Sequence, residues 1–138
     1  VGSGWSAAGF AREIRNESSR VVVLRAPFGV ADPGGIAAYC AFRVIAEEME
    51  LLSLAVRPEW RRQGLGRWLA RRALTLAARG GAGTAFLEVR SGNAAARQLY
   101  ASLGFGEAGR RPGYYKNPVE DAVILARALG PELVSMKS

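Results

Sequence analysis

The residues Leu51 to Ala78, LLSLAVRPEWRRQGLGRWLARRALTLAA, constrain the fold more than any other stretch of the chain. Leu51 to Val56 is an apolar run of strand length, and it stops at Arg57-Pro58 because proline pushes the residue before it out of the helical region. A basic turn with two glycines follows, Arg61-Arg62-Gln63-Gly64-Leu65-Gly66-Arg67. Beyond it Leu65, Trp68, Leu69, Ala73, Leu76 and Ala77 recur at helical spacing, and Arg79-Gly80-Gly81 closes the helix with a glycine cap. The pattern is strand, glycine turn, helix start. Glycines let the backbone approach a ligand closely, and the first helical turn offers unpaired N–H groups to an anion. Arg61, Arg62 and Arg67 crowd that end with positive charge, against the usual preference for acids at a helix start. Two readings fit: an anion site, or a helix with a solvated basic face. The turn lacks the Gly-Lys-Ser/Thr of a Walker loop and the third glycine of GxGxxG.

The chain has 138 residues, enough for one domain with a proper core, and no internal repeat or linker divides it. Residues 1–138 are therefore read as a single domain. There are no histidines and one cysteine, Cys40, inside the apolar run Ile36 to Ile45. This rules out a Ser-His-Asp triad, a Cys-His pair and any ordinary zinc site within the sequence, so no metal is expected. Cys40 reads as a buried, inert thiol, and the absence of an intrachain disulfide agrees with a cytoplasmic location. No apolar run is long enough to cross a bilayer, and no membrane partner is expected. The formal charge is +7, and residues 57–79 hold seven arginines against one glutamate. With no nucleic-acid recognition motif, a local phosphate ligand explains that concentration better than nonspecific nucleic-acid binding.

Ala7, Phe10, Ala11 and Ile14 after Ser6 predict a short amphipathic helix. Residues 16–19 read as loop, Val21 to Leu24 as a strand, and Pro27 to Gly35 as a turn or loop. Ile36 to Ile45 reads as a long strand and Glu47 to Glu50 as an acidic turn, so the segments around Leu51 could form an antiparallel meander. Thr84 to Arg90, TAFLEVR, predicts a strand with Ala85, Leu87 and Val89 on one face and Phe86, Glu88 and Arg90 on the other. After the turn Ser91-Gly92-Asn93, Ala94 to Leu103 predicts a helix with Ala96, Leu99, Tyr100 and Leu103 on its apolar face. Phe105 is expected to open a short strand, residues 109–118 to be a basic, tyrosine-bearing loop, residues 122–126 the last strand, and residues 130–138 a fraying tail.

Two ordered motifs point to a family. RRQGLGR after LAVRPEW resembles the acetyl-CoA signature of the GNAT superfamily of N-acetyltransferases, and LEVRSGNAAARQLYASLGF resembles the second half of that domain. The longer string, with RRPGYY and EDAVILA, is similar to the RimI-type enzymes, which acetylate the N-terminal amine of a ribosomal protein. The resemblance implies an α/β fold, the GNAT acyl-CoA N-acyltransferase fold. Its central, mostly antiparallel sheet is splayed at the cofactor site and flanked by helices. The strand and helix with which such domains usually begin are expected to be missing. The chain opens on Val1 rather than methionine, which leaves room for a longer natural chain.

The resemblance also implies roles. Leu54, Ala55 and Val56 would bind the pantetheine arm of acetyl-CoA, with a backbone amide there polarising the thioester. The turn Arg62 to Arg67 (Arg62, Gln63, Gly64, Leu65, Gly66 and Arg67) would hold the pyrophosphate through backbone N–H groups, Arg61 is counted with the cofactor-binding residues, and Asn93 would touch the cofactor. Glu88 falls on the general base and Tyr100 on the general acid that protonates the departing thiolate. Tyr114 and Tyr115 either line the acceptor cleft or pack the base of a hairpin. From the residues alone, Glu88 could instead pair with Arg90 or Arg43, and Tyr100 could be core with its hydroxyl at the rim. The chemistry suits the catalytic roles. An α-amine has a reference pKa of about 7.7–8.0 against about 10.4 for lysine, so a carboxylate deprotonates the former with less help. The expected partner is a protein or peptide N-terminus. A small amine as acceptor, or a noncatalytic acetyl-CoA-binding module, are the alternatives.

Overall fold

The computed structural model describes residues 19–25 and 35–135. The expected helix near Phe10, the loop at 16–18, most of the loop at 27–35 and the end of the tail lie outside them.

Among the described residues six strands form one sheet: β1 (Ser19–Arg25), β2 (Ile36–Ile45), β3 (Glu48–Val56), β4 (Thr84–Arg90), β5 (Gly106–Tyr115) and β6 (Glu120–Ala128). Their order across the sheet is β1-β2-β3-β4-β6-β5. The first three make the expected antiparallel meander. The acidic turn is shorter than expected. Only Ala46 and Glu47 turn, both with positive φ, and Glu48 to Glu50 belong to β3. The strand form is favoured there because Met49 and Leu51 are fully buried and Glu50 finds Arg43 across the ladder at 2.8 Å. Alternation outweighs acidic composition.

Helices α1 (Leu65–Arg79) and α2 (Ala94–Ser102) connect β3 to β4 and β4 to β5, and α3 (Pro131–Ser135) follows β6 where a frayed tail is expected. The α1 stripe is turned from the predicted one. Leu69, Ala70, Ala73, Leu74, Ala77 and Ala78 are buried, whereas Trp68 is 47% exposed. Thr75 joins the buried face because its hydroxyl donates to the Arg71 carbonyl one turn back at 3.1 Å. The α2 face is as predicted, with Tyr100 and Leu103 buried and Ala96 and Leu99 packed on the core.

The main core lies between α1, α2 and one face of the sheet, formed by Cys40 and Phe42 of β2, Leu51 and Leu54 of β3, Leu87 and Val89 of β4, and Val123 and Leu125 of β6. The opposite face carries Tyr39, Ser53, Glu88 and Arg90. The predicted loop at 109–118 is instead mostly strand. β5 pairs with β6 from Gly106 to Arg111 and again at Tyr115, with a break across Pro112-Gly113. Pro112 has no N–H for the ladder, and Gly113, at φ 59, donates its N–H to the Asp121 carboxylate at 2.9 Å instead.

One feature of the sheet positions the candidate site. β3 and β4 are parallel neighbours joined only at Glu48/Thr84, Met49/Ala85 and Glu50/Phe86. Past those three pairs β3 continues along β2 to Val56, and β4 continues along β6 to Arg90. Between Leu51–Val56 and Leu87–Arg90 there is no ladder. A bulge helps to separate them, since Ala41 pairs with Ser53 and Phe42 with Leu51, which leaves Leu52 as an extra residue that bends β3.

Candidate active site

The split has two rims. On the β3 rim, Arg57 N–H donates to the Ala37 carbonyl at 2.8 Å, so Ala38 and Val56 face each other as a non-hydrogen-bonded pair. By the alternation of antiparallel ladders, the N–H and C=O of Leu54 and Val56 turn away from β2, toward the split. The Val56 carbonyl accepts from Arg61 Nε at 2.9 Å. Arg61 therefore folds back and ties the turn to its strand.

A short 3-10 turn, Pro58–Trp60, leads on to Arg62, which adopts φ 63, and to Gly64, the N-cap of α1 at φ 78. Gly64 has no side chain to cap with, and the first intrahelical bond runs from Trp68 N–H to the Gly64 carbonyl at 3.0 Å. The amides of Leu65, Gly66 and Arg67 precede it, so the helix itself supplies them no acceptor. A Cβ on Gly66 would lie 3.6 Å from Val56 and 3.7 Å from Leu54, so this end of α1 sits directly on the end of β3. The Gln63 side chain is exposed. Arg67 does not point along the helix start but donates from Nε to Ser102 Oγ at 3.3 Å, bridging α1 to the end of α2.

On the β4 side, Asn93 caps α2, its Oδ1 accepting from Ala96 N–H at 3.1 Å. Tyr100 lies two turns further on. It is 1% exposed, packs edge-on against Phe105 with ring centroids 5.6 Å apart, and its hydroxyl has no hydrogen-bond partner. Burial pushes this phenol far above its ordinary range, and the nearby Cys40 thiol adds to the effect. Cys40 is the β2 residue paired with Leu54, so the Tyr100 ring reaches from the helix after β4 toward the strands on the far side of the split. Cys40 itself is fully buried, and desolvation pushes its thiol up to about 12, which fits an inert core residue.

Glu88 lies on the other face of β4, two residues beyond the last β3–β4 pair. Its carboxylate pairs with Arg111 of β5 at 3.3 Å. The partners considered from sequence are engaged elsewhere, Arg43 by Glu50 and Arg90 by Glu120 at 3.2 Å. Tyr114 and Tyr115 stand edge-to-face, 5.2 Å apart, with the Arg111 guanidinium 5.4 Å over Tyr114 and that of Arg90 4.4 Å over Tyr115. Burial raises the Tyr115 phenol, and the charge of Glu88 adds to the rise, so this ring belongs to the surroundings of Glu88. Arg111 and Glu120 were not singled out from sequence. Their partners lie 23 and about 30 positions away, and only the strand order β4-β6-β5 brings them near.

In a closed sheet, groups on opposite faces are separated by the backbone layer. Here the ladder between β3 and β4 is missing past Phe86, a window in the hydrogen bonding of the sheet, with Glu88 on one face of β4 and the unpartnered Tyr100 hydroxyl buried on the core side. The residues fit acetyl-CoA: outward-turned backbone groups on β3 for an extended arm, uncapped amides at α1 for a pyrophosphate, and a buried donor that lacks an acceptor. Among the described residues, no group of three acidic or cysteine side chains gathers as a metal site, and no helix is long and apolar enough to cross a membrane.

A split of this kind, with a bulged strand on one rim and an uncapped helix at its mouth, has the groups an acyl-CoA transferase site needs. The acetyltransferase (GNAT) family model matches residues 3–105, and the chain belongs to that family as an acetyl-CoA-dependent N-acetyltransferase. It is 43% identical over 101 residues to the [ribosomal protein bS18]-alanine N-acetyltransferase of Escherichia coli K12, covering 72% of this chain and 68% of that protein. It is 35% identical over 130 residues to the N-alpha-acetyltransferase RimI of Mycobacterium tuberculosis, covering 91% and 77%. The crystal structure of the ribosomal-protein-S18-alanine N-acetyltransferase from E. coli superposes with a TM-score of 0.77 at 37% identity, over 97% of this chain and 80% of that one.

Proposed function

We propose that the chain acetylates the N-terminal α-amine of a protein, an alanine-starting ribosomal protein being the acceptor class its relatives suggest, by direct transfer within a ternary complex. The observation that carries the reading is the window with a carboxylate on one face and an orphaned phenol on the other. Acetyl-CoA supplies the activated acetyl group. Leu54 and Val56 hold its pantetheine arm through the backbone groups that β2 leaves free, and Ala55 between them keeps the strand paired to Tyr39 of β2. The amides of Leu65, Gly66 and Arg67 receive the pyrophosphate, with Arg62 adding charge, while Arg61 and Asn93 act by fixing the turn and the start of α2. The Val56 N–H donates to the carbonyl oxygen as negative charge develops on it, a contribution of about 3–4 kcal/mol for a preorganised donor.

Glu88 takes the proton of the incoming ammonium, directly or through a water, and Arg111 must yield its place as the amine arrives. Tyr100 donates to the sulfur as the thiolate leaves. Its desolvated phenol stays protonated across the working pH range, and the same dry surroundings disfavour a free thiolate, which favours donation at that moment. Tyr114 and Tyr115 form the wall along which the acceptor's first residues lie. An acceptor of this kind, together with the inert Cys40, suits the reducing cytoplasm.

Peptides beginning with alanine or serine, assayed beside polyamines, amino acids and aminoglycosides, test the acceptor. Turnover on the peptides at least tenfold above the small amines is expected. Turnover confined to small amines would sink this assignment, and binding of acetyl-CoA with no turnover on any acceptor would favour a noncatalytic module.

A further inference from the structure

Glu120 opens β6 and has no part in the proposed chemistry, yet its carboxylate accepts from three consecutive residues, Arg90, Ser91 and Gly92. Oε2 accepts from the Gly92 N–H at 2.5 Å and from the Ser91 hydroxyl at 3.5 Å. Oε1 accepts from Arg90 Nη1 at 3.2 Å. These contacts run in two directions. Ser91 and Gly92 form the turn into α2, where the Ser91 carbonyl also accepts from Arg97 at 2.9 Å and Asn93 caps the helix that carries Tyr100. Arg90 is held by the Pro118 and Lys116 carbonyls, each at 3.2 Å, and lays its guanidinium on Tyr115, beside Glu88.

The space is made for this arrangement. A Cβ on Gly92 would collide with Glu120 Oε2, so a side chain there would push the carboxylate out of its present place. The Gly92 N–H, and after it Arg90, hold the Glu120 carboxyl below its ordinary value, so the hub is charged at working pH.

We propose that Glu120 is a positioning residue that couples the two faces of the window, fixing the helix of the acid and the wall of the base from one carboxylate. A rigid α2 carries any shift at Gly92 down to Tyr100, and a loosened Arg90 frees Tyr115. Misplacement of reacting groups by about 1 Å can cost on the order of 100-fold in rate. The inference rests on reading Glu88 and Tyr100 as base and acid, and its test keeps the two separable.

Glu120→Gln keeps size and shape while removing the charge. Steady-state kinetics on the acceptor best used by the wild type, acetyl-CoA calorimetry and thermal melts are measured for E120Q, Arg90→Lys, E88Q and Y100F. For E120Q, kcat is expected to fall about 10- to 100-fold per folded molecule, with KM raised for both acetyl-CoA and acceptor. R90K, which loosens only the Tyr115 arm, raises the acceptor KM and leaves acetyl-CoA affinity intact. Wild-type kcat and both KM values in E120Q would overturn the proposal. So would a loss accounted for entirely by the unfolded fraction, or an R90K that changes both KM values equally. Full turnover in E88Q and Y100F with E120Q still impaired on both sides would remove the acid–base reading alone and leave the coupling standing.

Discussion

The two sides of the window are built by opposite means. The cofactor side is made of backbone and apolar surface: Leu54 and Val56 against Gly66, uncapped amides at α1, and Tyr100 sealed in the core. The acceptor side is made of half-exposed charge and aromatic rings: Glu88 with Arg111, Arg90 on Tyr115, and Tyr114 at 49% exposure. The difference agrees with the roles proposed for the two sides. A cofactor of constant shape suits a surface set by close packing, where displacing a methyl group is felt. An acceptor that arrives as a cation suits a surface whose ion pairs exchange at little cost, since exposed pairs contribute about 0–1 kcal/mol.

Substitutions can break that contrast, and the largest effect is expected at Glu88. Glu88→Gln should lower kcat about 100- to 10,000-fold, the range for a lost general base, with acetyl-CoA affinity unchanged by calorimetry. A value near wild type would move the base elsewhere on the acceptor side. Tyr100→Phe comes next, with kcat lowered by about 100-fold and an opposite sign in stability. Removing a buried hydroxyl that has no partner relieves about 1–3 kcal/mol. Thermal melts should therefore show the free variant to be more stable than wild type and to gain less from added coenzyme A. Equal gains would mean that the hydroxyl does not meet the ligand.

A smaller effect is predicted for acid unfolding. Glu120 has a lowered pKa in the fold, so its contribution to stability is present above the unfolded value of about 4.3 and is lost as pH falls through the folded value. Urea titrations at a series of pH values should show wild type losing stability more steeply than E120Q below about pH 4. Parallel curves would mean that the carboxylate is not engaged in solution. The smallest effect is expected for Arg111→Gln, with the melting temperature within about 1–2 °C of wild type, as for a partly exposed pair. Its effect should be confined to a few-fold change in acceptor KM. A changed acetyl-CoA affinity would contradict the separation of the two sides.

The cofactor side was the more legible in the sequence because its signals are local. The strand Leu51–Val56, the glycines at 64 and 66 and the helical repeat after them fall within one stretch, and TAFLEVR alternates cleanly enough to assign Glu88 to the polar face. The acceptor side was read poorly because its order comes from pairing across the sheet. Arg110-Arg111-Pro112-Gly113 has the composition of a loop, and β6, not local propensity, makes most of it a strand. The Glu120 contacts span 28 to 30 positions, and no periodicity reports them. Even on the cofactor side the split was legible only through resemblance. The bulge that accompanies it, the extra residue at Leu52, leaves no mark on the hydrophobic pattern that differs from ordinary burial.

Joined by only three rungs, β3 and β4 make the sheet two three-stranded leaves, β1-β2-β3 and β4-β6-β5, sharing a hinge at its closed end. In the proposed binding mode an extended ligand lying between the leaves would take the place of the absent rungs, and the molecule would be completed by what it consumes. Its amides at Leu54 and Val56 should therefore exchange with solvent hydrogen quickly in the free protein and slowly in the loaded one, making each turnover a cycle of opening and closing one seam.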